Sequence, residues 1–378
     1  MEQRCFGATG CHLSVFTLGT MRFLNGWDEP HDVLPEDSLE NAHGIIQAAV
    51  RAGINHIETA RGYGKSERLI GRVLPYLDTP RNQLMITTKA PPTETALEMR
   101  HQLDDSLERM GLDRVDLFAL HGLNNLERFQ LAIRPGGCLA ALEQARNEGM
   151  IGAIGFSSHA PLPLLLAIMA TKAFAFVNLH YNFFRQENRA AVDLAESMNM
   201  GLFIISPNEK GGLLYDPPPY LSKLTHPLHP VHFNERWLLS QPQVHTLSVG
   251  LSMPEHVDIH MQSLKHHPYW GADERRIQAH LTQALAKSPL QRCGPCRRCL
   301  PCPVKIDIPT VLRLKHLQDT LEMGSFARFR YDMMQPDDHW IPGARGNVCT
   351  RCGDCLPRCP QQLNIPDLMH QAHQQFSR

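Results

Sequence analysis

"GINHIETARGYGKSERLIGRVL", residues 53–74, sets a short β-rich run, "NHIET", against a glycine-spaced loop, with Glu58 at the end of the run and Tyr63 in the loop. A strand that delivers polar side chains to the loop after it is the building unit of a wound α/β fold. The alternation recurs along the chain. "HLSVFTLG", "LMITTKA", "VDLFALHG", "IGAIGFSS", "FAFVNLHYN", "GLFIISP" and "VHTLSVG" read as further strands. Between them lie amphipathic stretches such as "SLENAHGIIQAAVRAG" and "ALEMRHQLDDSLERMG", each closed by a glycine where a helix ends. Eight strand-helix units over residues 1–288 predict an α/β fold, a TIM (β/α)8 barrel, with its chemistry at the C-terminal ends of the strands. A doubly wound open sheet is the competing arrangement, and no G-x-G-x-x-G supports it.

A chain of 378 residues, 43% hydrophobic and 20% charged, has the balance of a soluble globular protein with room for one large domain and one small one. A formal net charge of -1 argues against a general nucleic-acid or membrane binder. The longest apolar stretch, "LPLLLAIMATKAFAFV", is broken by Pro163 and Lys172, and "MEQRCFGATG" has no apolar segment behind a basic start. Neither a spanning helix nor a signal peptide is read, and the cytoplasm is the expected location. Lysine and arginine outnumber acids twelve to eight from residue 289 onward and are outnumbered twenty-five to thirty before it. Eight of the eleven cysteines lie in that basic tail, whereas Cys5, Cys11 and Cys138 are scattered and read as small buried apolar residues.

Polar residues at the predicted strand ends carry the functional reading. Glu58 ends the second strand, Tyr63 follows in its loop, Lys89 ends the third and His121 the fourth. The stretch that includes them resembles the aldo-keto reductases: "GINHIETARGYGKSERLIGRVL" is similar to that family's G-x-x-x-x-D-T-A-x-x-Y-G-x-S-E-x-x-x-G, followed by "TTKA" and "DLFALHG", and the likeness covers about residues 4 to 264. It implies NAD(P)H-dependent reduction of a small-molecule carbonyl, or oxidation of an alcohol, with Tyr63, Lys89, His121 and Glu58 as the catalytic set. A reduced carbonyl gathers negative charge on oxygen, so a donor able to give up a proton is needed there, and Tyr63 is the candidate. A phenol near its free pKa of about 10 gives up that proton reluctantly, and the Lys89 ammonium is expected to lower it. His121 orients the oxygen or relays the proton. Glu58 stands where the family has aspartate, which keeps the charge and changes the reach.

By the same resemblance, Ser157, Ser158 and Asn178 hold the nicotinamide carboxamide of NADP(H) or NAD(H). Ser206 opens the loop "SPNEKGGLL", in which Lys210, Gly211 and Gly212 suit a pyrophosphate. Gly250 and Ser252 precede a helix start that suits a phosphate. The family expectation is NADPH, yet "VGLSMPEHV" offers no lysine or arginine for a 2′-phosphate.

The tail, residues 289–378, repeats one motif. Cys349, Cys352, Cys355 and Cys359 follow C-x2-C-x2-C-x3-C-P, the bacterial ferredoxin run, and Cys293, Cys296, Cys299 and Cys302 follow it with one residue fewer before the last cysteine. In that run three thiolates wrap one cube and the fourth ligates the other. Two 4Fe-4S clusters are therefore expected, one on Cys293, Cys296, Cys299 and Cys359, the other on Cys349, Cys352, Cys355 and Cys302, with a single cluster as the fallback. "CPVKIDIP" echoes "CPQQLNIP", and the spacer between the runs has helical periodicity. The tail thus resembles the helical dicluster ferredoxin modules, a small mainly α-helical ferredoxin-like iron-sulfur domain. Zinc competes through its C-x2-C pairs, but zinc sites use two separated pairs rather than triplets. Disulfides do not suit the compartment.

Three functions of different classes fit these features: an enzyme with a ferredoxin-like tail, a nicotinamide-binding redox sensor with little turnover, and an electron-transfer subunit that serves a partner protein. A hydride carries two electrons and a cluster passes one, and no flavin signature is present to divide the pair. "NGWDEPHDVLPED", "GLNNLERFQLAIRPGG" and "LLYDPPPYLSKLTHPLHPVHFNERW" are expected to wall the pocket without naming a substrate, and His226, His229 and His232 read as loop packing.

Overall fold

The computed structural model describes residues 1–378 except 25, 27–29, 210, 211, 266, 267, 295, 337–342 and 378, and the side chains of 291 and 292. Its strands are β1 (Gln3–Cys5), β2 (His12–Ser14), β3 (Phe16–Gly19), β4 (His56–Glu58), β5 (Met85–Ala90), β6 (Val115–Leu120), β7 (Ile151–Ser157), β8 (Phe176–Leu179), β9 (Gly201–Ile205) and β10 (Thr246–Gly250). The last eight close a barrel in sequence order, each parallel to the next, with β10 returning to pair with β3. The eight expected strands are thus present, with one revision: "HLSVFTLG" is not a single strand. His12–Ser14 pairs antiparallel with Gln3–Cys5 in a hairpin, and only Phe16–Gly19 enters the barrel.

Alternation decides what fills the barrel, because residues two apart on a strand share a face. Phe176 and Phe203 join Phe6 and Leu13 from the hairpin in an apolar plug with Leu117, Ala119 and Ala153. Room for Phe176 comes from Gly155, where a Cβ would lie 2.5 Å from its ring. Outside the barrel, the helix Ala96–Met110 begins in a capping box between Thr95 and Glu98 and ends on Gly111 in the left-handed region, φ 62°. Cys138 is fully buried, as expected, but Cys5 is exposed, and Cys11 is half-buried against the apolar plug.

The described residues divide into two compact units, one of residues 1–207 and 234–269 and one of residues 208–233 and 270–378. The barrel strands all belong to the first. The division does not fall at 288/289, because the helix Ala272–Leu285 packs on Pro219–Thr225 and on Ile308–Leu321, all within the second unit. The predicted spacer helix is two helices, Ile308–Leu321 and Gly324–Asp332, which with Ile365–Phe376 enclose an apolar core that includes Val311, Leu312, Tyr331 and Met369. Among the described residues no helix is long and apolar enough to cross a membrane.

Candidate active site

Three side chains expected at successive strand ends, and Tyr63 from the loop after the first of them, converge at the C-terminal end of the barrel. Lys89 Nζ forms an ion pair with Glu58 Oε1 and donates to the carbonyl of Thr59 at 2.7 Å; both side chains are almost wholly buried, at 2% and 4% exposure. The same ammonium lies 4.8 Å from the centroid of the Tyr63 ring. Tyr63 and His121 meet edge to face, ring centroids 5.8 Å apart and 86° between planes. His121 is held by its backbone N–H, which donates to the carbonyl of Ala90, the residue after Lys89.

Burial sets the electrostatics here. It pushes the Lys89 ammonium well below its ordinary value, and the touching Glu58 carboxylate opposes that loss of charge. The Tyr63 phenol stands above its ordinary value, again through burial. The expectation that Lys89 lowers it is therefore corrected: paired with Glu58, the ammonium presents tyrosine with a nearly neutral ion pair rather than a bare charge.

Below this set, and absent from the sequence reading, runs a buried chain of polar groups: Thr246 Oγ1 to Thr17 Oγ1, Thr17 Oγ1 to His56 Nδ1, and His56 Nε2 to Thr87 Oγ1, each 2.7 Å. Burial first, and the Lys89 charge second, lower the His56 pKa to about 3, so this imidazole is neutral. One layer higher, Ser248 Oγ donates to Glu58 Oε2 at 3.4 Å. The signal for these residues was two-residue alternation: His56 with Glu58, Thr87 with Lys89, and Thr246 with Ser248 face the same way.

The expected cofactor residues divide by what they already bond. Ser157 Oγ accepts from the backbone of Gly122 at 3.0 Å, and Ser158 Oγ donates to the Leu123 carbonyl and accepts from Ala160, so Ser158 staples its own loop. Asn178, paired with Ser157 across β7 and β8, is different: its side chain is fully buried, and among the described residues neither its amide oxygen nor its nitrogen has a hydrogen-bond partner. Such a pair of unmet polar atoms fits a carboxamide. Ser206 follows β9 in the left-handed region, φ 47°, and Ser252 Oγ reaches His256 Nδ1 at 3.4 Å. The helix after Gly250 and Ser252 is only His256–Met261 and has Glu255 at its N-cap, so a carboxylate stands where a phosphate was expected. Gly250 instead lies against the stem of Arg22, a candidate cation missed from the sequence because it follows a different strand. Gly212, φ 81°, belongs to the second compact unit; Lys210 and Gly211 lie outside the described residues.

Within the second unit, the cysteine repeat is visible in the backbone. Cys293 N–H donates to Leu290 as Cys349 does to Gly346, Leu300 to Arg297 as Leu356 to Gly353, and Lys305 to Cys302 as Gln362 to Cys359. Arg297 and Gly353 share a left-handed φ, as do Lys305 and Gln362. The shorter first run lacks a counterpart of Arg358, and the chain regains register by Cys302. The Arg358 guanidinium bridges the runs, donating to the carbonyls of Asp354 at 2.7 Å and Pro301 at 3.0 Å.

The thiols neighbour one another in the expected crossed sets. Burial pushes Cys299 up to about 12, and the charges of Cys293, Cys296 and Cys359 add to it; burial pushes Cys293 up to about 11, with Cys296 and Cys359 adding. Burial likewise raises Cys355, with Cys349, Cys352 and Cys302 as its charged neighbours. A concavity is lined by those four thiols together with Asp354 and Arg358. Among the described residues no three His, Cys, Asp or Glu side chains are drawn in closely enough to grip a single metal ion. Four soft sulfur donors thus border one concavity, a donor set whose chemistry suits an iron-sulfur cube, which is wider than a single ion.

A closed eight-stranded barrel with tyrosine, lysine, carboxylate and histidine at its C-terminal end defines the class of a barrel enzyme with an acid-base site. The sequence model of the aldo/keto reductase family matches residues 16–281, and the chain belongs to that family of oxidoreductases. Among proteins of assigned activity it is 28% identical over 169 residues to 6-dehydroglucose reductase of Novosphingobium aromaticivorans, which covers 41% of this chain and 51% of that protein. It is 26% identical over 231 residues to L-galactose dehydrogenase of Arabidopsis thaliana, covering 58% of this chain and 69% of that one. The chain thus spans about half of the first relative's length and about two thirds of the second's. An aldo-keto reductase from Bacillus halodurans in its holo form has the same fold, with a TM-score of 0.61 at 19% identity over 74% of this chain and 96% of that one.

Proposed function

We propose that the chain is an NAD(P)H-dependent oxidoreductase that reduces a carbonyl, or oxidises the matching alcohol, at the C-terminal end of the barrel. The convergence of Tyr63, Lys89, Glu58 and His121 carries this reading. Bound nicotinamide supplies or accepts the hydride. Tyr63 delivers the proton to the developing alkoxide, His121 orients the oxygen beside the phenol, and Lys89, its charge kept by Glu58, steadies the phenolate that is left. Asn178 would hold the carboxamide, with Ser157, its cross-strand neighbour, assisting. The two sugar-named relatives support a polyhydroxylated substrate. Tyr63→Phe is expected to abolish NADPH- or NADH-linked turnover of aldoses and aldehydes while nucleotide affinity stays the same; unchanged turnover removes the assignment.

We further propose that the tail is a dicluster ferredoxin-like module holding two 4Fe-4S clusters on the crossed cysteine sets. Bound clusters each pass one electron, so a pair matches the two electrons of a hydride. Such a module would suit a reducing, cytoplasmic setting and would pass electrons to a partner protein. Cys302→Ser is expected to lower bound iron in anaerobically purified protein by about half, leaving the other set loaded. Iron unchanged in that variant takes Cys302 out of the ligand set.

A second reading, a nicotinamide-binding redox sensor with little turnover, draws on Glu58 in the aspartate position and on the raised Tyr63 phenol. The visible absorption of the clusters, recorded anaerobically before and after NADPH and then NADH, separates the two. Bleaching with nucleotide, together with negligible carbonyl turnover, favours the sensor.

A further inference from the structure

Three neighbouring strands meet at one carboxylate oxygen. Glu58 Oε1 belongs to Lys89, while Oε2 accepts the 3.4 Å hydrogen bond from Ser248 Oγ on β10. Between β4 and β10 runs β3, whose last residue, Gly19, is in register with both Glu58 and Gly250. A Cβ at Gly19 would lie 2.7 Å from Ser248 Oγ and 3.5 Å from Glu58 Oε2. The backbone does not ask for glycine there, since φ is -85° and ψ 125°, an extended conformation open to any residue. Space asks for it. The hydroxyl and the second carboxylate oxygen occupy the volume that a side chain on β3 would take.

We propose that Ser248 is a positioning residue of the barrel site, which with the space over Gly19 holds Glu58 extended so that Lys89 stays under the face of Tyr63. Glu58 is longer than an aspartate by one methylene, about 1.5 Å of chain, and that added reach is what lets a single carboxylate touch Lys89 on one side and Ser248 on the other. An aspartate reaches one partner or the other. Glycine, serine and glutamate on adjacent strands therefore form one adapted set. Ser248 remains half-buried, at the mouth of the barrel, and acts through Glu58. This role rests on the reductase reading of the site.

The test compares Ser248→Ala, Glu58→Asp, the double variant and Gly19→Ala in the full-length protein, with NADPH and 4-nitrobenzaldehyde as the probe pair. Ser248→Ala is expected to lower kcat about tenfold, the size of a hydrogen bond to a charged group, with KM unchanged. It also moves the acidic limb of the kcat profile to higher pH, because a carboxylate that loses a donor binds its proton more tightly. In the Glu58→Asp background the same substitution is expected to cost nothing, and Gly19→Ala is expected to mimic Ser248→Ala by displacing the hydroxyl. Equal losses in both backgrounds, or a change in KM alone with the acidic limb in place, overturn the proposal. A urea-unfolding cycle on the same variants reads the Ser248–Glu58 coupling without turnover. If the probe is not reduced, or Tyr63→Phe reduces it as well as the native chain, the reductase reading fails, and the unfolding cycle still decides whether serine and glutamate are coupled.

Discussion

Replacing Lys89 with methionine keeps the length of the side chain and removes the charge from the centre of the barrel site. Glu58 is then left at 4% side-chain exposure with Ser248 as its hydrogen-bond donor, and the Thr59 carbonyl loses its 2.7 Å donor. Removing one member of a buried ion pair costs about 3–5 kcal/mol, a large share of the roughly 5–15 kcal/mol that holds a domain folded. The penalty is expected to depend on pH. Burial without a partner raises the carboxyl pKa in the folded state, so protonation relieves the strain: the stability that this group supplies is present below its unfolded value of about 4.3 and is lost as pH rises through the folded value. Urea unfolding followed by circular dichroism should therefore show a larger deficit at pH 7 than at pH 5. Adding Glu58→Gln should recover all but about 1 kcal/mol of it, as neutral pairs of similar shape do. A Lys89→Met protein within about 1 kcal/mol of the native chain at pH 7, with no pH dependence, would refute the claim that the pair is held ionised in a dry interior.

Two further outcomes follow from buried groups. His56, with its pKa lowered to about 3, binds no proton in the folded barrel where the unfolded chain, near 6.5, does; stability is therefore expected to fall as pH drops from about 6.5 toward 3, and His56→Gln should flatten that slope in acid unfolding curves. Asn178→Leu should stabilise the nucleotide-free protein by about 1–3 kcal/mol, because two unmet buried polar atoms disappear, while calorimetry shows weaker NADPH binding; a destabilised variant would mean that the amide is bonded within the folded chain.

What the sequence disclosed and what it hid follow from the kind of signal each residue leaves. Strand-end residues such as Glu58, Lys89 and His121 stand out because a polar side chain closes an apolar run. His56 and Ser248 sit inside such runs, where one polar residue in a three- to six-residue strand looks like ordinary alternation, and only closure of the barrel shows that β4 and β10 both face β3. Val15 hid the break between hairpin and barrel because its side chain is buried on either assignment. Helix pairing is likewise invisible: Ala272–Leu285 falls within the residues 1–288 assigned to the barrel, yet its partners are Pro219–Thr225 and Ile308–Leu321. The Tyr63 acidity is hidden in the sequence for a similar reason. A sequence names the charges, while their sum at a given atom depends on which of them already touch.

The crossed arrangement of the eight tail thiols makes each run depend on the other. Each run keeps three of its own sulfurs and places its fourth in the neighbouring set, Cys302 beside Cys355 and Cys359 beside Cys299. Neither run by itself offers four donors at one place, since each set takes three thiols from one run and one from the other. If the proposed clusters are held there, a tail that lacks either run would leave the remaining set one donor short.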